Sequence, residues 1–344
     1  MAKSAGPDIP MLKHQLVEIA AANVQSLAWD GNDLIDWVGG GARYELDGKH
    51  AAARVRYAYT FDAAATSPSG EFQVIYTRLG TKGLVLRRGE IIREINRSFY
   101  QADVYEYPLA LFCLEDGREV LAHCPDEYCR LELHDLASGE RLTDSDQRSP
   151  GDFFHSRLAI SPCGRYLLSA GWIWHPVDAV HVYDIATALA NPSHLDGAGL
   201  PLDARADESS ATFLDNGRLA VALDGCEIDE DEIPPPSARE LRIYDLATAA
   251  VLASTRPPEK VGSMMAVGAH HLLTLHEHPR LLHIPSNEII RSWPEIRSGT
   301  QISGILMDRR HLPPPMALDP VNARCAIASS NCIHVLLFEG VNEG

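Results

Sequence analysis

With 344 residues, 45% of them hydrophobic, the chain has ample apolar surface for a large core, and closed all-β architectures use this length as one domain. A formal charge of −17 argues against general binding to nucleic acid or anionic membranes, because phosphates demand Lys and Arg. It fits a soluble protein, or one whose partner is basic.

The opening MAKSAGPDIPMLKHQLVEIAAANV has no secretory apolar core. No apolar run approaches the ~20 residues of a membrane span. Seven scattered cysteines do not read as a disulfide framework. The expectation is a cytoplasmic protein with mostly buried, reduced thiols.

Short turns set between apolar runs then recur along the chain. They are Asp30-Gly31, Ser69-Gly70, Asp116-Gly117, Cys163-Gly164 and Asn216-Gly217, with less ideal versions at Gly268-Ala269 and Asp319-Pro320. Neighbouring turns lie roughly 40 to 50 residues apart, the period of a four-stranded propeller blade. Unit one runs VQSLAW, DLIDWVG, ARYEL and ARVRYAY; unit two runs FDAAATS, FQVIYTRLG, KGLVLRR and EIIREIN. Unit three gives LALFCL, REVLAH, RLELHD and a short ERLT. Unit four gives HSRLAIS, RYLLSAG and AVHVYDI, with a weaker fourth strand near Asn191 to Leu200. Unit five gives SATFL, RLAVAL, LRIYDL and AVLAST, and unit six MMAVG, HLLTLH, RLLHI and EIIRSW. Unit seven offers PMALDP, RCAIASS and CIHVLLF, and lacks an outermost strand.

HQLVEIA, ahead of unit one, has strand alternation and no other place. Pairing it with CIHVLLF closes the ring and removes two raw edges. The expected fold class is therefore all-β: a single seven-bladed β-propeller of four-stranded blades over 1–344, closed by the N-terminal strand. The blades fall near 22–58, 59–103, 104–147, 148–204, 205–258 and 259–300. The last is 301–340 completed by 14–20.

One third-strand pattern repeats closely: LELHDLASG from Leu131, VHVYDIATA from Val180 and LRIYDLATA from Leu241. The alternation marks a half-buried strand, and the Asp-x-Ala-Thr or Asp-x-Ala-Ser tail marks the turn after it. On these residues the chain resembles the WD-repeat β-propeller family, nearly throughout but most sharply in units three to five. That family ends the third strand in a Trp-Asp pair, and Tyr183-Asp184, Tyr244-Asp245 and His134-Asp135 stand here instead. The resemblance implies a structural hydrogen-bond relay in unit four, from His155, Ser169, Asp178 and Tyr183. Unit five has no matching His, so the chain is a divergent relative. Because the family's members are mostly interaction platforms, the resemblance also implies binding rather than catalysis.

Two loops exceed what a hairpin needs. Gly171 to Pro176 sets Trp172, Trp174 and His175 in a turn where polar residues are the rule. Such Trp either cover the end of a core or anchor an interface. The insertion DGCEIDEDEIPPPSA makes the interval between the two Tyr-Asp pairs roughly a dozen residues longer than the preceding one. It carries Asp224, Glu227, Asp229, Glu230, Asp231 and Glu232. Most such runs are solvated loops, and this one lacks calcium-loop register, which favours contact with a partner.

His276-Glu277-His278 with His283, and His123-Cys124 with Cys129, have metal-like composition without four-ligand spacing. There is no G-x-S-x-G elbow, P-loop or G-x-G-x-x-G after a strand. The expected protein is thus a monomeric, non-enzymatic binding propeller without cofactor or metal, contacting neither nucleic acid nor membrane. Its Trp and acidic loops hold a basic protein partner. A sharper form sequesters or inhibits that partner, as an immunity-type inhibitor of a bacterial toxin would. The alternative is a propeller hydrolase or lactonase with a metal in the central channel.

Overall fold

Alternating apolar residues build seven antiparallel sheets that follow one another around a ring. The computed structural model describes residues 12–174, 176–202, 207–223 and 239–341. Blade 1 comprises Ala28–Asp30, Asp33–Asp36, Ala42–Tyr44 and His50–Ala51. Blade 2 comprises Ala63–Thr66, Phe72–Tyr76, Lys82–Arg87 and Glu90–Asn96. Blade 3 has Leu109–Cys113, Glu119–His123 and Glu132–Asp135. Blade 4 has Leu158–Ile160, Tyr166–Ile173 and Val177–Asp184. Blade 5 comprises Glu208–Phe213, Arg218–Leu223, Glu240–Asp245 and Val251–Thr255. Blade 6 comprises Met264–Val267, His271–Thr274, Arg280–His283 and Glu288–Ser292. Blade 7 has Met316–Asp319, Arg324–Ala328 and Cys332–Glu339. The N-terminal strand Lys13–Ala20 is its fourth, in register from Lys13 opposite Glu339 to Ala20 opposite Cys332.

Successive side chains of a strand point to opposite faces, so one strand feeds two layers of core. In Tyr166–Ile173, Leu167 packs toward blade 3 with Phe112, Val120 and Leu133. Its neighbours Tyr166, Leu168 and Ala170 pack toward blade 5 with Val221 and Tyr244. The same arrangement fills every junction, including that of blades 7 and 1, where Ile19, Leu27, Leu34 and Val335 meet. Fully burying each such side chain contributes roughly 1.5–3 kcal/mol. The core of this fold therefore lies between blades, and each sheet depends on both neighbours.

The repeated Asp does one job in three blades. Asp135, Asp184 and Asp245 each accept the backbone N–H three residues on, from Ser138 (2.6 Å), Thr187 (2.9 Å) and Thr248 (2.8 Å). This turn bond explains the recurring Asp-x-x-Ser/Thr spacing. The outermost positions depart from expectation. Blade 1 ends in the short His50–Ala51 rather than in ARVRYAY. Blade 3 has only the backbone bridge of His134 with Arg141 where ERLT was expected. In blade 4 the chain turns into a helix, Ile185–Ala190, capped by Asp184, then a 3-10 turn, Pro192–Asp196. Four residues of high or neutral helix propensity, Ala186, Ala188, Leu189 and Ala190, favour that outcome over a strand. Gly199 then bridges back to Val182.

Between blades 3 and 4 the fully buried Arg148 side chain meets the fully buried Glu132 (Nη1 to Oε2, 3.3 Å) and Asp196 (Nε to Oδ1, 2.6 Å). Its Nη2 donates to the Leu131 carbonyl at 3.0 Å. The described cysteines are free: Cys124, Cys129 and Cys325 are buried, Cys332 is half-buried, and Cys113 and Cys163 are exposed.

Candidate functional site

One face of the ring gathers aromatic side chains from segments far apart in sequence. The hairpin of Tyr166–Ile173 and Val177–Asp184 keeps its register up to Ile173 opposite Val177, carrying Trp172 past the other blades' turns. At Gly171 the chain passes so close to the incoming segment that a Cβ would sit 2.0 Å from the Phe154 carbonyl oxygen. Phe154 and Trp172 consequently exchange backbone hydrogen bonds of 2.8 and 3.2 Å. The Trp172 ring stacks on Phe154 and meets Tyr105 edge-on.

Trp172 is only 2% exposed, which corrects its expected place as a surface anchor: it covers the end of the core. Trp174 is 40% exposed and stands edge-on against Phe154, Trp172 and Tyr100. Around it lie further exposed side chains: Ile173 (37%), from the same loop, and Phe99 (86%), Tyr100 (46%) and Met307 (82%), which were not named as site residues from the sequence. Met307 arrives from the segment leading into blade 7, because Leu306 N–H donates to the Val104 carbonyl and Ile305 bridges Tyr105. The run Ser98-Phe99-Tyr100 directly after a strand was the available signal. Exposed carboxylates Asp103, Glu127 and Asp152 flank this rim, and the Tyr128 hydroxyl donates to Asp152 at 2.8 Å. His175, Asp224, Glu227, Asp229, Glu230, Asp231 and Glu232 lie outside the described residues.

The relay implied by the WD-repeat resemblance forms in part. His155 Nδ1 and the Ser169 hydroxyl share a hydrogen bond of 3.1 Å, and burial pushes the His155 imidazole down to about 3. Tyr183 instead pairs its hydroxyl with His181 Nδ1 at 3.1 Å. Asp178 accepts the Gly304 N–H at 2.7 Å and faces Arg157 at 4.0 Å. Burial pushes Asp178 up to about 6, against the pull of Arg157. The four residues are thus split among three partnerships. Asp178 serves to tie blade 4 to the segment before blade 7.

The axis of the ring is a cavity of about 830 Å³, lined by the innermost strands. Its wall is largely apolar, with Leu109, Leu158, Ala211, Met264 and Met316 among the contributors. Asp62, Arg78, Glu106 and Arg157 line the end nearer the aromatic rim. Each stands just before an innermost strand or just after a second strand. The lactonase alternative needs His and carboxylate ligands convergent on the axis. Among the described residues, no group of three or more His, Cys, Asp or Glu side chains is placed to share an ion. His276, His278 and His283 are not so assembled, nor are His123, Cys124 and Cys129.

No protein-family model matches the chain, and a search of curated proteins found no match. Solved structures do match it. Among them is hydrazine synthase of Kuenenia stuttgartiensis, 18% identical, with a TM-score of 0.56, over 92% of this chain and 96% of that one. At this identity the likeness is one of fold, and the chain's own seven sheets make it a seven-bladed β-propeller. The WD-repeat likeness rests on the motif residues alone. Among the described residues no helix is long and apolar enough to cross a membrane.

Proposed function

We propose that the protein is a non-catalytic interaction module that holds a protein partner on the face carrying Trp174. The observation that supports this most is the convergence of Phe99, Tyr100, Ile173, Trp174 and Met307, all exposed, from three separate segments. Large apolar side chains gathered on one surface mark an interaction site, and aromatic residues dominate such contacts. Stacking on a rigid bed of Phe154 and Trp172 fixes the rings before binding, which lowers the entropy cost of docking. The flanking Asp103, Glu127 and Asp152, and the charge of −17, suit a partner that sets apolar side chains among basic ones. The acidic insertion, by its composition, adds to that field. Masking or inhibiting such a basic partner is the sharper form of this reading, and the motif kinship with WD-repeat platforms agrees with it.

The test compares baits in the native host. Phe99→Asp and Trp174→Asp should each lose a protein that the unaltered chain retains. Val321→Asp, an exposed apolar residue at the channel's opposite end, should keep it. For the partner so found, Trp174→Ala should cost at least ~2 kcal/mol of binding if this is a hot spot, and added salt should slow association. Recovery of the same proteins by all the baits would overturn the assignment of this face.

A further inference from the structure

The charged end of the axial cavity has no part in the rim described above. Two carboxylates, Asp62 and Glu106, and two guanidinium groups, Arg78 and Arg157, line one cavity. Opposite charges this close normally neutralise one another directly, yet these four form no ion pair among themselves. Asp62 Oδ1 accepts the Arg78 backbone N–H (2.6 Å), while the Arg78 side chain donates from Nη1 to the Pro313 carbonyl (3.1 Å). Glu106 Oε1 accepts from Gln301 Nε2 at 2.9 Å. Arg157 is held by the carbonyls of Ala170 (3.0 Å) and Ser209 (2.7 Å).

Two buried polar atoms are left over. Arg157 Nη2 has no hydrogen-bond partner, its nearest carboxylate being Asp178 at 4.0 Å. Gln301 Oε1 has none either, on a side chain whose residue is 5% exposed. One is a donor and the other an acceptor, and both residues line the cavity. Leaving such atoms unpaired is costly, so a ligand that satisfies them gains affinity. Arg157 also holds a left-handed backbone (φ 45°), a conformation long side chains avoid and which clusters at binding sites. Arg78, Glu106, Asp62 and Arg97 all lie within electrostatic reach of the Tyr76 hydroxyl, which is pushed up to about 12 chiefly by burial.

We propose that this cavity binds a zwitterionic α-amino acid with an apolar side chain. The ammonium group meets Glu106, Asp62 and Gln301 Oε1, and the carboxylate meets Arg157 and Arg78. The four protein charges cancel, so a ligand with both signs and no net charge leaves none uncompensated, whereas a simple acid or amine strands one pair. The ligand's side chain points down the axis onto Leu109, Leu158 and Met264. A cavity of about 830 Å³ is ample for it, within the ~300–1,000 Å³ typical of ligand pockets. Small rearrangement of Arg157 and Gln301 admits the ligand to the two unpaired atoms.

The test is calorimetry and thermal unfolding of the full chain with L-leucine, L-methionine and L-phenylalanine. At least one should bind saturably and raise the melting temperature. The same side chain carrying only a carboxylate, as in 4-methylpentanoate for leucine, or only an amine, as in 3-methylbutylamine, should bind at least tenfold more weakly. Glycine should do likewise. Glu106→Gln keeps the contact to Gln301 and should lower affinity tenfold or more without changing the fold, read by circular dichroism. Arg157→Lys tests the other pole, and Asp62→Asn supplies a second reading should Arg157→Lys fail to fold. Absence of binding by all three amino acids at 10 mM would overturn the proposal. So would equal affinity for leucine and 4-methylpentanoate, or an affinity indifferent to Glu106→Gln and Asp62→Asn.

Discussion

The rings of Phe154 and Trp172 lie 3.7 Å apart between centroids and 7° from parallel, and their backbones are bonded to each other in both directions. A stack so tied behaves as a structural floor, and it separates two tryptophans that stand only two positions apart. Trp172→Ala should cost about 3–5 kcal/mol of stability, the usual loss for emptying a large aromatic site. Trp174→Ala should stay within about 0.5 kcal/mol, as surface changes do. Urea unfolding of the two variants checks this, and similar midpoints would show that Trp172 is not part of the core.

Arg148 sits without exposure between Glu132 and Asp196. Arg148→Met keeps much of the volume but takes the shared cation from Glu132 and Asp196, leaving fully buried Glu132 with Arg130 and Thr143. Removing one partner of a buried pair costs about 3–5 kcal/mol. The same experiment on the exposed Lys49–Asp47 pair should read close to zero. Denaturant midpoints of Arg148→Met and Lys49→Met measure the contrast.

Stability should fall toward both sides of mid-acid pH, for opposite reasons. Burial pushes Glu208 up to about 7 from 4.5, so the folded state keeps a proton that the unfolded chain releases. Its contribution is full below pH 4.5 and lost as pH rises through 7. Burial pushes His155 down to about 3 from 6.5, so its contribution is full above pH 6.5 and lost as pH falls toward 3. Glu208→Gln should remove the first slope, changing the pH dependence by about 1.4 kcal/mol per pH unit between pH 4.5 and 7. Unfolding free energies across that range decide it; an unchanged slope would mean Glu208 is ionised in the folded protein.

Lys13–Ala20 covers the edge of Cys332–Glu339 with eight paired positions, and Ile19 enters the core at 1% exposure. Deleting the chain through Ala20 should leave an unpaired edge strand with an apolar inner face, a template for association. The truncated protein should melt well below the full chain and elute as aggregates in gel filtration. Equal melting temperatures would show that the other strands close the ring unaided.

Architecture was legible in the sequence because the residues that make it act locally. Alternation in RYLLSAG sorts Leu167 from Leu168 onto opposite faces, and Asp184 bonds a residue three positions away. The N-terminal closure was readable as well, since an orphan strand and a missing strand imply each other. What escaped depends on loop contacts that no period encodes. Trp172 is buried by Phe154 and Tyr105, which arrive from other connections, so its burial follows from the way loops fold over each other. The rim residues Phe99 and Met307 are neighbours of the same kind. Helix Ile185–Ala190 formed where a turn was expected, and Asn191 to Leu200 gave a 3-10 turn and a bridge at Gly199 in place of a strand, because outer positions are held by few neighbours and local propensity decides them. The relay failed where Asp178 found Gly304, a partner absent from the motif. The axial charges come from three blades, Asp62 and Arg78 from blade 2, Glu106 from blade 3 and Arg157 from blade 4, and only the packing of those blades gathers them.

Because the outer strand of blade 7 is made first and its partner last, the ring has a built-in order of assembly during translation. Lys13–Ala20 emerges with an exposed edge and must wait until Cys332–Glu339 leaves the ribosome. At ~5–20 residues per second that wait is on the order of tens of seconds. Each intervening blade can dock on the one before it as it appears, but blade 1 stays half-covered until blade 7 has appeared. Lys13, Gln15 and Glu18 lie exposed along the strand Lys13–Ala20, and charged or polar side chains of this kind discourage an edge from pairing with another chain.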